Sequence, residues 1–111
     1  MKIDIQNYNE ISVLALQGEF TSEAVKSFED AVSGVMASGS SGLVLDMSKV
    51  MTLDSHTLQS LLELNELCRE NVRQLKLAGL DETCRKILEI TQLLKEFDAY
   101  GDVAEAVRSF A

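Results

Sequence analysis

The chain has 111 residues, ten Lys+Arg against 18 Asp+Glu, one His and no proline, for a formal net charge of −8. At 46% hydrophobic and 25% charged it can bury one core, and its length suits a single domain over residues 1–111. The acidic balance, with no basic run longer than two, argues against nucleic acid and against anionic membrane surfaces.

A membrane span needs about 18 consecutive apolar residues, and Val13-Leu14-Ala15-Leu16 falls far short of that. Direct membrane insertion is therefore not expected. Met1-Lys2-Ile3-Asp4-Ile5-Gln6 lacks the apolar centre of an export signal, so a cytoplasmic location is expected.

Ile3 and Ile5 alternate with polar neighbours, and Ile11 to Gln17 is rich in branched aliphatics. Asn7-Tyr8-Asn9-Glu10 between them reads as a hairpin turn. From Ser22 to Ala37 a helical stripe runs through Ala24, Val25, Phe28, Ala31, Val32, Val35 and Met36, with Thr21 or Ser22 placed to cap its start. Ser38-Gly39-Ser40-Ser41-Gly42 is a loop; it lacks the lysine of a phosphate-binding loop. Leu43-Val44-Leu45, bounded by Gly42 and Asp46, has the continuous apolar character of a strand covered on both faces. Asp46 to Leu53 reads as a short connection.

A second amphipathic helix spans Ser55 to Glu70, on Leu58, Leu61, Leu62, Leu67 and Cys68. Leu75 and Leu77 mark a fourth strand ending at Ala78-Gly79. A third helix covers Glu82 to Thr91 with Asp81 as its cap, Phe97 to Tyr100 forms a last short strand, and Asp102 to Phe110 a final helix. This order predicts an α/β fold with a mixed four- to five-stranded sheet, an antiparallel opening strand and about four helices.

Catalytic inventory is thin. A Ser-His-Asp relay needs base and orienting acid brought from separate segments, whereas Asp54, Ser55 and His56 are consecutive and point apart. Cys68 and Cys84 with one histidine cannot complete a metal site, and they read as reduced, small hydrophobes. No enzymatic activity, cofactor or metal is expected. Asp54 is placed to cap the second helix. Ser55 opens that helix, where free N–H groups and the helix dipole favour a negative group by about 0.3–1 kcal/mol. His56 reads as an exposed polar residue of the first turn.

Leu45-Asp46-Met47-Ser48-Lys49-Val50-Met51-Thr52-Leu53-Asp54-Ser55 resembles the signature of the STAS domain, the family of sulfate transporters and anti-sigma factor antagonists. In that family an apolar strand leads into Asp-Leu-Ser-x-Val and then a phosphorylatable Asp-Ser at a helix start. Leu58, Leu61 and Leu62 continue the family's helix, and Gly18-Glu19-Phe20 is similar to the turn after its second strand. Leu77-Ala78-Gly79-Leu80 and Ile87-Leu88-Glu89-Ile90-Thr91 are similar to its closing strand and helix.

The resemblance implies helices mainly on one side of the sheet and a regulatory binding role. The unphosphorylated protein would bind an anti-sigma factor that is itself a serine kinase. Phosphorylation at Ser55 would release that partner, and a phosphatase would restore binding. The expected partner surface comprises Glu19, Thr21, Asp46, Asp54, His56 and Thr57. Two departures stand out: His56-Thr57 replaces the usual small residue and glycine, and Thr21 stands where the family has Asp. The alternative is a constitutive STAS-like subunit of a lipid-transporter or stress-signalling complex, bound to a transporter ATPase or a scaffold protein.

Overall fold

Alternation of inward and outward side chains builds one sheet with two unequal faces. The structure, a computed structural model, describes residues 1–110. Strands β1 (Lys2–Tyr8), β2 (Ile11–Phe20), β3 (Gly42–Leu53), β4 (Gln74–Ala78) and β5 (Asp98–Tyr100) lie side by side in chain order. The β1–β2 pair is antiparallel and the other three pairs are parallel. Four helices connect or follow them: α1 (Val25–Ala37), α2 (Ser55–Glu70), α3 (Glu82–Ile90) and α4 (Val103–Arg108). Short 3-10 turns at Ser22–Ala24 and Leu94–Glu96 complete the chain. No helix among the described residues is long and apolar enough to cross a membrane.

The larger core lies on the face covered by α1, α2 and α3. Leu14, Leu16, Leu43, Leu45, Met47 and Leu77 point into it from the strands. Phe28, Val32 and Val35 meet them from α1, Leu61 and Leu64 from α2, and Leu88 from α3. Helical spacing in the sequence therefore marks the faces that fold onto the sheet. Cys68 and Cys84 are both buried and free. Burial pushes the Cys84 thiol up to about 12, with Asp81 adding to the shift.

The opposite face is thinner. Val13, Val44 and Ala78 from the strands meet Ala106 of α4, with Ile11, Tyr100, Val107 and Phe110 around them. Lys76 is buried on this side; its ammonium donates to Ser109 Oγ at 2.6 Å and lies 4.1 Å from the centre of the Phe110 ring. Helices lie mainly on one side of the sheet, with α4 alone on the other.

Three sequence expectations are corrected. The hairpin turn is only Asn9-Glu10, because β1 runs on to Tyr8 and pairs with Ile11. Gly18-Glu19-Phe20 is not a turn but the last part of β2. Asp46 to Leu53 is not a connection either, since β3 extends unbroken to Leu53.

Met47, Val50 and Leu53 of this stretch still enter the core, but Ser48, Lys49, Met51 and Thr52 are polar or exposed because β4 ends at Ala78, opposite Asp46. Beyond that point β3 has only β2 as a ladder partner, and its register against β2 shifts twice. The shifts are β-bulges that place extra β3 residues against β2 and break the simple alternation a strand pattern relies on.

Two of the left-handed backbone positions mark sharp chain reversals. Gly79, with φ +68°, turns the chain after β4, and a Cβ there would lie 2.9 Å from the Ser48 Cβ. At the end of α2, Val72 N–H donates to the Arg69 carbonyl and Arg73 N–H to the Cys68 carbonyl, at 3.1 and 2.7 Å. This is a Schellman cap whose left-handed position, usually Gly, is occupied by Val72 at φ +56°.

Candidate functional site

The parallel strands β2 and β3 end together, with Phe20 opposite Leu53. Both strands then lead into helical segments, so their connections meet at one end of the sheet. Asp54 is extended (φ −116°, ψ −179°) and α2 begins at Ser55, as the capping pattern predicts. Asp54 Oδ1 accepts the Thr57 N–H at 3.0 Å, and Thr57 Oγ1 accepts the Asp54 N–H at 3.0 Å. These reciprocal bonds form a capping box.

The second carboxylate oxygen of Asp54 accepts the Ser22 N–H at 2.7 Å. One side chain thus caps α2 and tethers the turn that leads into α1. The Thr57 N–H is the foremost cause holding the Asp54 carboxyl below its ordinary 3.8. Partial desolvation opposes the shift, while the Ser22 N–H, the Thr57 hydroxyl and nearby His56 assist it.

Ser55 and His56 are exposed in the first turn of α2. The cap bonds run among Asp54, Thr57 and Ser22 and make no use of the Ser55 hydroxyl. Glu19 lies on β2 opposite Thr52, and Thr21 follows the end of β2. Together they help line a groove of about 530 Å³ with Met1, Glu23, Ser27 and Met51. Met51 is 66% exposed. Glu19, Thr21, Asp54, Ser55 and His56 therefore gather at one end of the molecule.

The other two residues of the expected surface lie elsewhere. Thr57 is fully buried, because its hydroxyl closes the cap. It holds the site from beneath and presents nothing to a partner. Asp46 sits opposite Ala15, and the β2 residues from Ala15 to Phe20 span the distance to the end of β3. At about 3.3 Å per residue that is roughly 17 Å along the sheet. The Asp46 carboxylate instead accepts the Ser48 N–H at 3.1 Å and its hydroxyl at 2.8 Å, fixing the strand where β4 ends.

Three further participants were not read from the sequence. Ser22 contributes through its backbone, Met51 faces outward only because of the bulges in β3, and Glu23 lines the groove from the 3-10 turn. Met51 is apolar inside an apolar-rich segment, so no local signal separates it from a core residue. The tether from Ser22 joins residues 32 apart in the chain, and no local pattern encodes it. Chemically, the surface offers an exposed hydroxyl, an imidazole, two groove carboxylates and a thioether. Among the described residues no group of three or more His, Cys, Asp or Glu is placed to hold a metal ion.

Several solved structures share this architecture. An anti-sigma factor antagonist from Mycobacterium paratuberculosis superposes with a TM-score of 0.87 at 23% identity, over 97% of this chain and 92% of that one. The anti-sigma factor antagonist SpoIIAA in its unphosphorylated form gives a TM-score of 0.82 at 17% identity, over 98% and 96%. SpoIIAA, a Bacillus cell fate determinant, in its phosphorylated form gives 0.76 at 17%, over 99% and 100%. A sulfate transporter family protein from Wolinella succinogenes gives 0.81 at 15%, over 92% and 85%. At these identities the likeness is one of fold. The sequence itself matches the STAS domain over residues 2–106, and with the five-stranded sheet and helix α2 opening at Asp54-Ser55 in place, the chain belongs to the STAS domain family.

Proposed function

We propose that this protein is a non-enzymatic regulatory module, an anti-sigma factor antagonist whose unphosphorylated form binds a serine-kinase anti-sigma factor and is released by phosphorylation at Ser55. The observation that carries this reading is the exposed Ser55 hydroxyl at the first position of a helix whose cap is completed by other residues. A phosphate can be added there without breaking Asp54–Thr57 or Asp54–Ser22. The modification changes the surface and leaves the fold in place.

The physical effect is local electrostatics. Phosphoserine brings roughly −1.5 to −2 charges to a position next in sequence to Asp54, at the end of the molecule that also carries the groove carboxylates of Glu19 and Glu23. Free in water, and facing the amino end of α2, that charge is tolerated. Buried against a partner without a cation, it carries a desolvation cost of several kcal/mol. A loss of about 2.8 kcal/mol weakens binding a hundredfold. One group can thus turn a moderate interface off, with the anti-sigma factor as kinase and a separate phosphatase resetting the site.

The test is titration of a serine-kinase anti-sigma factor with the wild type, Ser55→Ala and Ser55→Asp. Ser55→Ala binds like the unphosphorylated wild type and resists release by ATP, while Ser55→Asp loses binding. Equal binding by all three variants sinks the switch. A transporter ATPase or scaffold retained whatever the state of Ser55 would instead select a constitutive subunit, the role that the fold likeness to a sulfate transporter family protein keeps in view.

A further inference from the structure

At the edge of the sheet farthest from β5, strand β1 carries seven residues in unbroken register with β2. All of them except Ile3 are exposed, and Ile5 and Tyr8 are 45% and 46% exposed. Edge strands are usually blunted by proline, by a bulge, by charged side chains or by a covering loop, and of these β1 carries the charges of Lys2 and Asp4 near its start. The sequence has no proline, the β1–β2 ladder has no bulge, and no strand among the described residues pairs with its outer side.

We propose that β1 is a homotypic docking edge, on which a second copy of this chain adds its own β1 antiparallel about a twofold axis at Ile5. The occupant follows from the pattern of the strand. The hairpin closes on the pair Tyr8–Ile11, and hydrogen-bonded and non-bonded positions alternate from there. The outward N–H and C=O groups are then those of Ile3, Ile5 and Asn7.

A twofold axis at Ile5 sets Ile5 against Ile5 of the second copy, and Ile3 against Asn7. That brings these three outward residues into register and forms about six hydrogen bonds. Asp4 meets Gln6 and Lys2 meets Tyr8, so no like charges stand directly opposite. An axis at Asp4 would oppose two aspartates, and an axis farther along would leave part of the strand unpaired.

The same register makes a continuous apolar stripe. Ile3 and Ile5 lie opposite Leu16 and Leu14 on the face that carries α1, α2 and α3. Across the twofold the stripe runs Ile3, Ile5, Ile5, Ile3 and joins the two larger cores. It covers the part of Ile5 left exposed in one copy. The two strands run in opposite directions, so the two Ser55 ends lie at opposite extremes of a ten-stranded sheet. Both remain accessible, and the pairing does not depend on the phosphorylation reading.

Sedimentation equilibrium across micromolar to millimolar concentration tests the proposal directly. The wild type is expected to approach twice the 12.2 kDa chain mass. Ile5→Asp opposes two carboxylates and is expected to raise the dimer dissociation constant at least about tenfold. It should keep a cooperative thermal transition, since Ile5 is part-exposed in a single copy.

Under oxidation Ile5→Cys forms an intermolecular disulfide, because paired Cα atoms about 5.5 Å apart suit one. Ile3→Cys, facing Asn7, does not. A wild type that stays monomeric throughout overturns the proposal. So does a dimer indifferent to Ile5→Asp, or one in which Ile3→Cys cross-links as readily as Ile5→Cys.

Discussion

Replacing Thr57 by valine separates what holds the candidate site from what the site presents. Valine has nearly the shape of threonine, so the fully buried position stays filled and no cavity opens. What disappears is the hydroxyl, which accepts the Asp54 N–H and donates to the Asp54 carbonyl, each at 3.0 Å. The Asp54 N–H is left facing a methyl group at a half-buried position. An unsatisfied donor of that kind costs about 1–3 kcal/mol, partly offset because the buried hydroxyl no longer needs a partner.

A net loss of about 1–2 kcal/mol is expected, and for a chain of this size that lowers Tm by about 4–8 °C. Thermal and urea unfolding of the wild type, Thr57→Val, Thr57→Ser and Ser55→Ala measure it. Thr57→Ser is expected to recover much of the loss, and Ser55→Ala to remain within about 0.5 kcal/mol of the wild type. Thr57→Val melting with the wild type, or Ser55→Ala falling as far as Thr57→Val, would refute the division between a threonine that closes the cap and a serine that takes no part in it.

Three other outcomes follow from features of the same fold. Val72→Gly removes a β-branched residue from a left-handed conformation, worth about 1–2 kcal/mol against the added flexibility of glycine when unfolded. A net gain below about 1 kcal/mol is expected in urea unfolding, and a clear loss would show that Val72 is not strained. Gly79→Ala is expected to lower stability by more than about 1 kcal/mol, since it combines a positive φ with a Cβ contact at 2.9 Å on Ser48; an unchanged urea midpoint would contradict the contact. Asp54 has its carboxyl pKa lowered by folding, so its contribution is present above about 3.8 and fades as pH falls through the lower folded value. Urea midpoints from pH 7 to pH 3 should therefore show the gap between wild type and Asp54→Asn narrowing on the acid side, and a constant gap would contradict the cap.

Much of this architecture was legible because burial imposes periods on sequence. The stripe of α1 and the run Leu43-Val44-Leu45 both place apolar residues where one covered surface needs them. The Ser55–Glu70 helix was legible through its leucines and its Asp54 cap. The far half of β3 was not, because Ser48, Lys49 and Thr52 lie where the ladder has thinned to one neighbour and bulges disturb the alternation.

Sequence adjacency brought Asp46 and Thr57 into the expected surface, and three-dimensional structure sorts them out. Asp46 precedes Asp54 by only eight positions, but the intervening residues are extended and carry it away. Thr57 follows Ser55 closely, but the first turn of a helix rotates it inward. The resemblance to STAS proteins located the serine without these details, since it rests on the order of elements and on Asp54-Ser55.

The double engagement of Asp54 also bears on how fast and how tightly a partner can be met. A surface assembled from two separate connections would ordinarily fluctuate, and each encounter would have to catch both in register. Here one carboxylate clamps the turn after β2 to the first turn of α2. The residues that flank it are held in one arrangement relative to each other before any partner arrives. Little conformational freedom remains to be surrendered on association. In the proposed switch, contacts made at this end are expressed as affinity, and the lifetime of the complex becomes sensitive to a single added charge.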